Sequence, residues 1–350
     1  MLTKVWKVDN FVDKSDSYPQ LVEASKKLQK GELVAFPTET VYGLGANALM
    51  GDSVANIYKA KGRPSDNPLI VHIGSQKQVY DLVDHVPEVA KTLMEKFWPG
   101  PLTLIFPKKA GVFPDQVTAG LETVAIRMPN HPIALALLQE AGCPVAAPSA
   151  NLSGKPSPTT AAHVEEDLKG KIAGIVDGGP TGVGLESTVV DISGEVPHIL
   201  RPGGVTKEQL EAVIGKVEME TGLLSDKEKP KAPGMKYKHY APKAPLTLVD
   251  GTPEYIQTLI NKEREKGKKV GMYTVEENKD KYEADCIIVG GSRSDLSTVA
   301  EKMYAVLRQF DNENPDIIFG EAFSRDGIGE AIMNRLMKAA GGRVIHQDMF

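Results

Sequence analysis

The sequence predicts an α/β protein in two parts: an N-terminal twisted mixed sheet with flanking helices, followed by a smaller Rossmann-like α/β domain. Three observations lead there. Short apolar runs alternate with amphipathic stretches along most of the chain. Gly and Pro punctuate the runs, as they do at strand ends. The 350 residues exceed the size at which a single core usually stops growing.

In the first part, strands are expected over 33–36, 69–73, 102–106, 124–127, 145–147, 174–176, 188–192 and 198–201. Helices are expected over 53–60, 86–96, 132–140, 160–168 and 207–214. Thr159 or Thr160 caps the fourth helix and Thr206 the last, because a hydroxyl accepts from an orphan backbone N–H. After Gly222 the composition changes, and 223–245 is rich in Lys and Pro with almost no helical period. Beyond it, strands over 246–249, 269–273, 286–289 and 316–319 alternate with helices over 254–266, 296–309 and 329–339, a parallel-sheet pattern. The expected division is a domain over 1–215, a linker over 216–244 and a second domain over 245–350. LTLVDGTPEY, after the first strand of the second domain, is not the Gly-rich dinucleotide turn, so no second nucleotide is assigned there.

A net charge of −5 argues against a general nucleic-acid or acidic-membrane coat and leaves room for a local basic cleft. Cys143 and Cys286 lie in apolar stretches and read as small buried hydrophobes. With no disulfide framework or zinc spacing, a reducing compartment fits. The first 20 residues hold no continuous apolar run, so neither a signal peptide nor a membrane span is expected, and the protein is read as cytoplasmic. His72, His131, His163, His198, His239 and His346 are not spaced as a metal site, and His85 is expected at the surface.

Four polar, Gly/Pro-rich segments fall at strand ends, where α/β proteins place ligands. PTETVYGLGANA offers Thr38, Thr40 and Tyr42, with Gly43 and Gly45 expected in unusual turns; a strand-to-helix turn with capping threonines is the alternative. YKAKGRPSDNPLIVHI brings Lys59, Lys61 and Arg63 to a helix end before a loop stiffened by Pro64 and Pro68. That suits a polyphosphate, although cations there also complement the helix dipole. AAPSANLSGKPSPTTAAHV is dominated by small and hydroxyl residues and leads into a helix N-terminus, which favours phosphate. It lacks the lysine signature of a P-loop. In GLESTVVDIS and HILRPGG, Ser187 and Thr188 start a strand while Arg201 ends another, and Arg127 ends a third. Arginines at strand ends are rarely core residues unless paired, and they suit carboxylate or phosphate oxygens.

Together these segments resemble the YrdC/Sua5 family of threonylcarbamoyl-adenylate synthases. The resemblance rests on Lys61-Gly62-Arg63, Ser149-Ala150-Asn151, PTETVYGL, PGPLTLIF, the STVVD run and RPGG. It spans nearly the whole chain, with APGMKYKHYAP and the trailing α/β unit similar to the longer, Sua5-type members. It implies a YrdC-like first domain around a positively charged cavity. It also implies the reaction of L-threonine, bicarbonate and ATP to L-threonylcarbamoyl-AMP with release of pyrophosphate. Mg²⁺ would arrive with ATP. The product would pass to a tRNA threonylcarbamoyl transferase complex that modifies the adenosine beside the anticodon, and direct tRNA binding is not assigned.

Carried over by motif, Thr40, His72, Arg127, Ala147 and Ser187 match positions around L-threonine. Arg63, Asn67, Thr123, Ser149, Asn151, Ser157, Arg201 and Tyr240 match positions around ATP, and Lys61 and Arg63 are the expected catalytic cations. Tyr240, in KHYAP, matches a linker residue that folds over the nucleotide, and the linker is expected to act as a lid. The chemistry agrees with the residue inventory, since two polyanions must meet and no protein nucleophile is needed. Two other readings remain. An RNA-binding translation or ribosome-assembly factor would need aromatics near the basic loops, and aromatics make up only 6% of the chain. A carbamoyl-adenylate domain of the hydrogenase-maturation type would carry zinc-finger cysteines, which are missing.

Overall fold

The computed structural model describes residues 2–9, 18–219 and 239–347. The chain forms two compact units. The first comprises Met1–Ser153, Ser157–Gly182 and Glu186–Lys236, and the second Gly154–Pro156, Val183–Leu185 and Tyr237–Phe350. Of the expected linker, residues 220–238 lie outside the described residues, and so does most of the expected lid.

The strands of the first unit are β1 (Lys4–Lys7), β2 (Val34–Phe36), β3 (Gly43–Asn47), β4 (Ile70–His72), β5 (Leu102–Pro107) and β6 (Thr123–Arg127). They continue with β7 (Val145–Ala146), β8 (Gly174–Asp177), β9 (Thr188–Asp191), β10 (His198–Arg201) and β11 (Glu218–Met219). They make one mixed sheet in the order β1-β8-β2-β3-β7-β4-β6-β5-β9-β10-β11. Eight of these strands coincide with expected ones to within about two residues, the usual boundary uncertainty. In the central strands, one set of alternating side chains enters the main core: Val71, Leu104, Ile126 and Val190. The opposite set forms a small separate cluster of Ile70, Ile105, Ala125 and Val189. Period-2 alternation therefore gives these strands two differently used faces.

The helices follow the expected signals. Pro132–Ala141 starts with Pro at its first turn and stops at Gly142, φ 63°. Gly51–Lys61 stops at Gly62, φ 62°. Thr160 Oγ1 accepts from His163 N at 3.3 Å, and Thr206 forms a full capping box with Gln209.

Four expectations need correction. PTETVYGLGANA is not a loop throughout, because GLGAN is the buried strand β3. Gly43 and Gly45 are not turn glycines, as neither has a positive φ. They make room for a ring: a β-carbon on Gly45 would sit 2.9 Å from Phe36 Cε1 and 2.9 Å from Val145 Cγ1. Cys143 and Cys286 are half-buried rather than buried. Within the stretch expected as linker, Glu218–Met219 form β11, which pairs parallel with β10.

The second unit contains β12 (Leu246–Asp250), β13 (Val270–Thr274), β14 (Cys286–Val289), β15 (Ile317–Glu321) and β16 (Val344–His346). They are all parallel, in the order β14-β13-β15-β12-β16. Val249, Ile256, Ile260, Val270, Met272 and Phe319 form a core between sheet and helix. Glu321, buried at the end of β15, accepts from Thr274 Oγ1 at 2.5 Å and from Asn278 Nδ2 at 2.9 Å. Arg293 completes that network, so this buried charge is satisfied.

Gly203 gives a direct test of packing just beyond the end of β10. A β-carbon there would lie 2.3 Å from the Glu186 carbonyl oxygen and 2.4 Å from the Thr188 amide nitrogen, both immovable backbone atoms. Gly203→Ala is expected to destabilise the first unit by about 1–3 kcal/mol. A lower urea midpoint with an unchanged m-value checks it.

Candidate active site

Strand register assembles the site. His72 pairs with Arg127, Arg127 with Thr103, Thr103 with Val189, and Val189 with Arg201. Paired residues share a face, so four sequence-distant segments present polar side chains in one row, with neighbouring strands about 4.8 Å apart. The row lies on the face that carries the small apolar cluster, opposite the main core.

Along this row the side chains bond to one another. Arg127 Nη1 donates to Thr40 Oγ1 at 3.0 Å and Nε to Gly100 O at 3.3 Å. Ser187 Oγ is 2.7 Å from Thr103 Oγ1. Arg201 donates through Nε and Nη2 to Ser187 O, at 3.1 and 2.9 Å, and through Nη2 to Ser187 Oγ at 3.2 Å. Thr40 itself is fixed by Thr38, whose hydroxyl is 2.8 Å away and donates to Val41 O at 2.7 Å. Arg127 and Arg201 are only 4% and 5% exposed, which is unusual for guanidinium groups and requires compensating acceptors.

His72 is buried with the row, and its Nδ1 lies 3.2 Å from Ile70 O. That carbonyl can only accept, which assigns the proton to Nδ1. Burial, reinforced by the charges of Arg127 and Arg201, lowers its pKa to about 3. His72 is therefore neutral at physiological pH. Ala147 follows β7, and its N–H is committed to Ile70 O at 2.9 Å.

A second group gathers on the loop 149–157. Lys61 Nζ donates to Ser149 O at 2.5 Å, Asn151 O at 2.6 Å and Asn151 Oδ1 at 3.4 Å. Ser149 Oγ donates to Asn151 Oδ1 at 2.6 Å. Lys61 and the pair Ser149/Asn151, singled out in the sequence, thus belong to one structural knot. Ser153 N donates to Lys61 O at 2.9 Å and closes it. Ser149 also bridges to Gly43 in β3. Ser157 Oγ donates to Glu186 Oε1 at 2.7 Å, which ties the loop to the residue preceding Ser187.

Arg63, half-buried, follows the left-handed Gly62, and its N–H returns to Tyr58 O at 3.0 Å. Asn67 is buried, and its carbonyl accepts from Tyr58 Oη at 3.0 Å. Thr123 starts β6 opposite Pro107. It stands four residues from Arg127, about 13 Å along the strand. Tyr240 belongs to the second unit, where it has φ 66° and stacks 5.1 Å from the Tyr304 ring.

Four participants escaped the sequence reading: Thr103, Glu186, Glu39 and His131. Thr103 looks like any strand residue until register places it beside Ser187. Glu39 sits within PTET, where attention fell on the hydroxyls. Its Oε1 lies 2.6 Å from Arg127 Nη2, yet the N–H does not point at it, so neither carboxylate oxygen accepts a hydrogen bond. His131 Nδ1 is likewise buried without a partner.

His72 makes stability pH-dependent. Its folded pKa lies below the ordinary 6.5, so its contribution is complete above pH 6.5 and is lost as pH falls toward 3. The slope should reach about 1.4 kcal/mol per pH unit for this one group. Urea denaturation between pH 7 and 5 should show a shallower slope in His72→Asn than in wild type.

Comparison with known proteins agrees with this architecture. The Sua5_yciO_yrdC family model, described as "Telomere recombination", matches residues 26–203. A second, Sua5_C, described as "Threonylcarbamoyl-AMP synthase, C-terminal domain", matches residues 205–341. A Bacillus subtilis threonylcarbamoyl-AMP synthase is 59% identical over 99% of this chain and 100% of its own. One from Pyrococcus abyssi is 48% identical over 91% of this chain and 93% of its own. The crystal structure of P. abyssi Sua5 complexed with L-threonine superposes with TM-score 0.93 at 45% identity, covering 99% of this chain and 100% of that one. The register-built row of buried arginines, the Lys61 knot and the separate parallel-sheet unit therefore sit in a chain that belongs to the Sua5/YciO/YrdC family, in its long form with the threonylcarbamoyl-AMP synthase C-terminal domain.

Proposed function

We propose that this enzyme condenses L-threonine, bicarbonate and ATP into L-threonylcarbamoyl-AMP and pyrophosphate. The observation that carries the proposal is the pair of buried guanidinium groups, Arg127 and Arg201, set in one row with hydroxyls and a neutral imidazole. The reaction requires N-carboxythreonine, with two carboxylates, to approach the α-phosphorus of ATP. Like-charge repulsion and orientation dominate that barrier. Fixed cations and donors lower it without a covalent intermediate. Ser187 Oγ fits this role as a donor rather than a nucleophile, because its partners are Thr103 and Arg201 and not an imidazole.

In this reading L-threonine lies by Thr40, His72, Arg127, Ala147 and Ser187, with Arg127 gripping its carboxylate. ATP is assigned to Arg63, Asn67, Thr123, Ser149, Asn151, Ser157, Arg201 and Tyr240. Lys61 and Arg63 stabilise charge on the phosphates. Lys61 donates to Ser149 O, Asn151 O and Asn151 Oδ1, so it also sets the shape of the loop assigned to the phosphates. Mg²⁺ supplied with ATP would offset phosphate charge, held mainly by phosphate and water oxygens. The product is labile and would pass to a transferase that modifies tRNA, with the reaction assigned to the cytoplasm.

Pyrophosphate release should require L-threonine, bicarbonate and ATP together, and omission of any one should abolish it, with the adenylate detected by mass. Lys61→Ala and Arg63→Ala should each lower turnover by about 100-fold or more while leaving L-threonine affinity within about threefold. Near-normal turnover in both variants would refute the assigned role.

A further inference from the structure

Glu39 takes no part in the chemistry described so far, although it stands beside the residue expected to hold the substrate carboxylate. Both of its carboxylate oxygens are shielded from solvent, and neither accepts a hydrogen bond. An ionised carboxylate offers about four acceptor positions, and burying them empty is costly. Arg127 supplies charge at 2.6 Å but aims no N–H at Glu39, while its Nη1 serves Thr40. His131 is the other titratable group facing Glu39. It is 8% exposed, its Nδ1 has no partner, and burial lowers its pKa against the opposing pull of the Glu39 charge. Glu39 is thus a buried carboxylate ion-paired with Arg127 at 2.6 Å, with neither oxygen accepting a hydrogen bond.

We infer that Glu39 receives the α-ammonium group of L-threonine and takes one of its protons before N-carboxylation. This rests on the assignment of L-threonine to the same cluster. An amino acid arrives as a zwitterion, and Arg127 and Glu39 are adjacent groups of opposite sign: carboxylate to guanidinium, ammonium to carboxylate. An ammonium has three N–H donors and fills the empty acceptor positions. It has no lone pair, however, and cannot attack carbon. Transfer of one proton to Glu39 frees the nitrogen pair. The N–C bond then forms to the bicarbonate carbon, the C–OH bond breaks with its electron pair, and the leaving hydroxide takes the second N–H proton as water. The carbamate carries one negative charge and faces a neutral, hydrogen-bond-donating Glu39 rather than a second buried carboxylate. With Glu39 still ionised, two like charges would share the site, which is strongly unfavourable at low dielectric.

Calorimetric titration of the full chain with L-threonine and with 2,3-dihydroxybutanoate of matching stereochemistry, in which a hydroxyl replaces the amine, tests the inference. Wild type should bind L-threonine at least about tenfold more tightly than the hydroxy acid, the effect of a charge-assisted contact. Glu39→Gln should lose that preference to within about threefold while its affinity for the hydroxy acid stays within about threefold of wild type. Equal affinity of wild type for the two ligands overturns the inference without recourse to any variant, so a misfolded variant leaves it decidable. A Gln variant that keeps the preference overturns it as well. A Gln variant that loses both ligands together shows that Glu39 acts only by holding Arg127, and also overturns it. Wild type that binds neither ligand removes the threonine assignment itself, an outcome distinct from equal binding of both.

Discussion

Two guanidinium groups are held out of water against one face of the first unit's sheet, and most of the local sequence can be understood as what makes that tolerable. Each arginine ends a strand, so its side chain leaves the sheet where the ladder stops and loop carbonyls are available. Gly100 O serves Arg127, and Ser187 O serves Arg201 twice. A buried charge without such acceptors would cost several kcal/mol. The hydroxyls of Thr40 and Ser187 add to this, each accepting a bond from one of the arginines.

The loop 149–157 is organised by a different principle. An ammonium makes up to three bonds with no preferred plane, so Lys61 can gather carbonyls that a planar guanidinium would not fit. Backbone at Ser149 and Asn151 is thereby drawn around the end of the helix Gly51–Lys61. The same residues that would meet phosphate are those that shape the loop, and shape and charge cannot be separated by deleting one side chain.

Much of this was legible in the sequence. Apolar runs marked eight of the eleven strands of the first sheet, and Pro and Gly marked the helix ends, because those signals are local. The strands missed, β1, β3 and β11, are short or glycine-rich. Lys4–Lys7 exposes three of its four residues, and GLGAN has no alternation to detect. Family motifs pointed to Arg127, Arg201, Lys61 and Ser149. Thr103 could not be found that way, since only the pairing register of β5 with β6 and β9 puts it beside Ser187. Glu39 and His131 were hidden for another reason: an acidic residue and a histidine in loops look solvated until burial is known. The start of the linker was beyond composition, because the pairing of Glu218–Met219 with β10 is a long-range choice.

Glu186 and Ser187 are neighbours in the chain just before β9, and they answer to different halves of the site. Glu186 holds Ser157, while Ser187 holds Thr103 and Arg201. Side chains of adjacent extended residues project to opposite sides, and a shift of one position exchanges them. Insertion or deletion of a single amino acid between Glu186 and Arg201 would therefore hand each partner the wrong neighbour even if every motif letter survived. In this segment, spacing carries as much of the enzyme's information as residue identity.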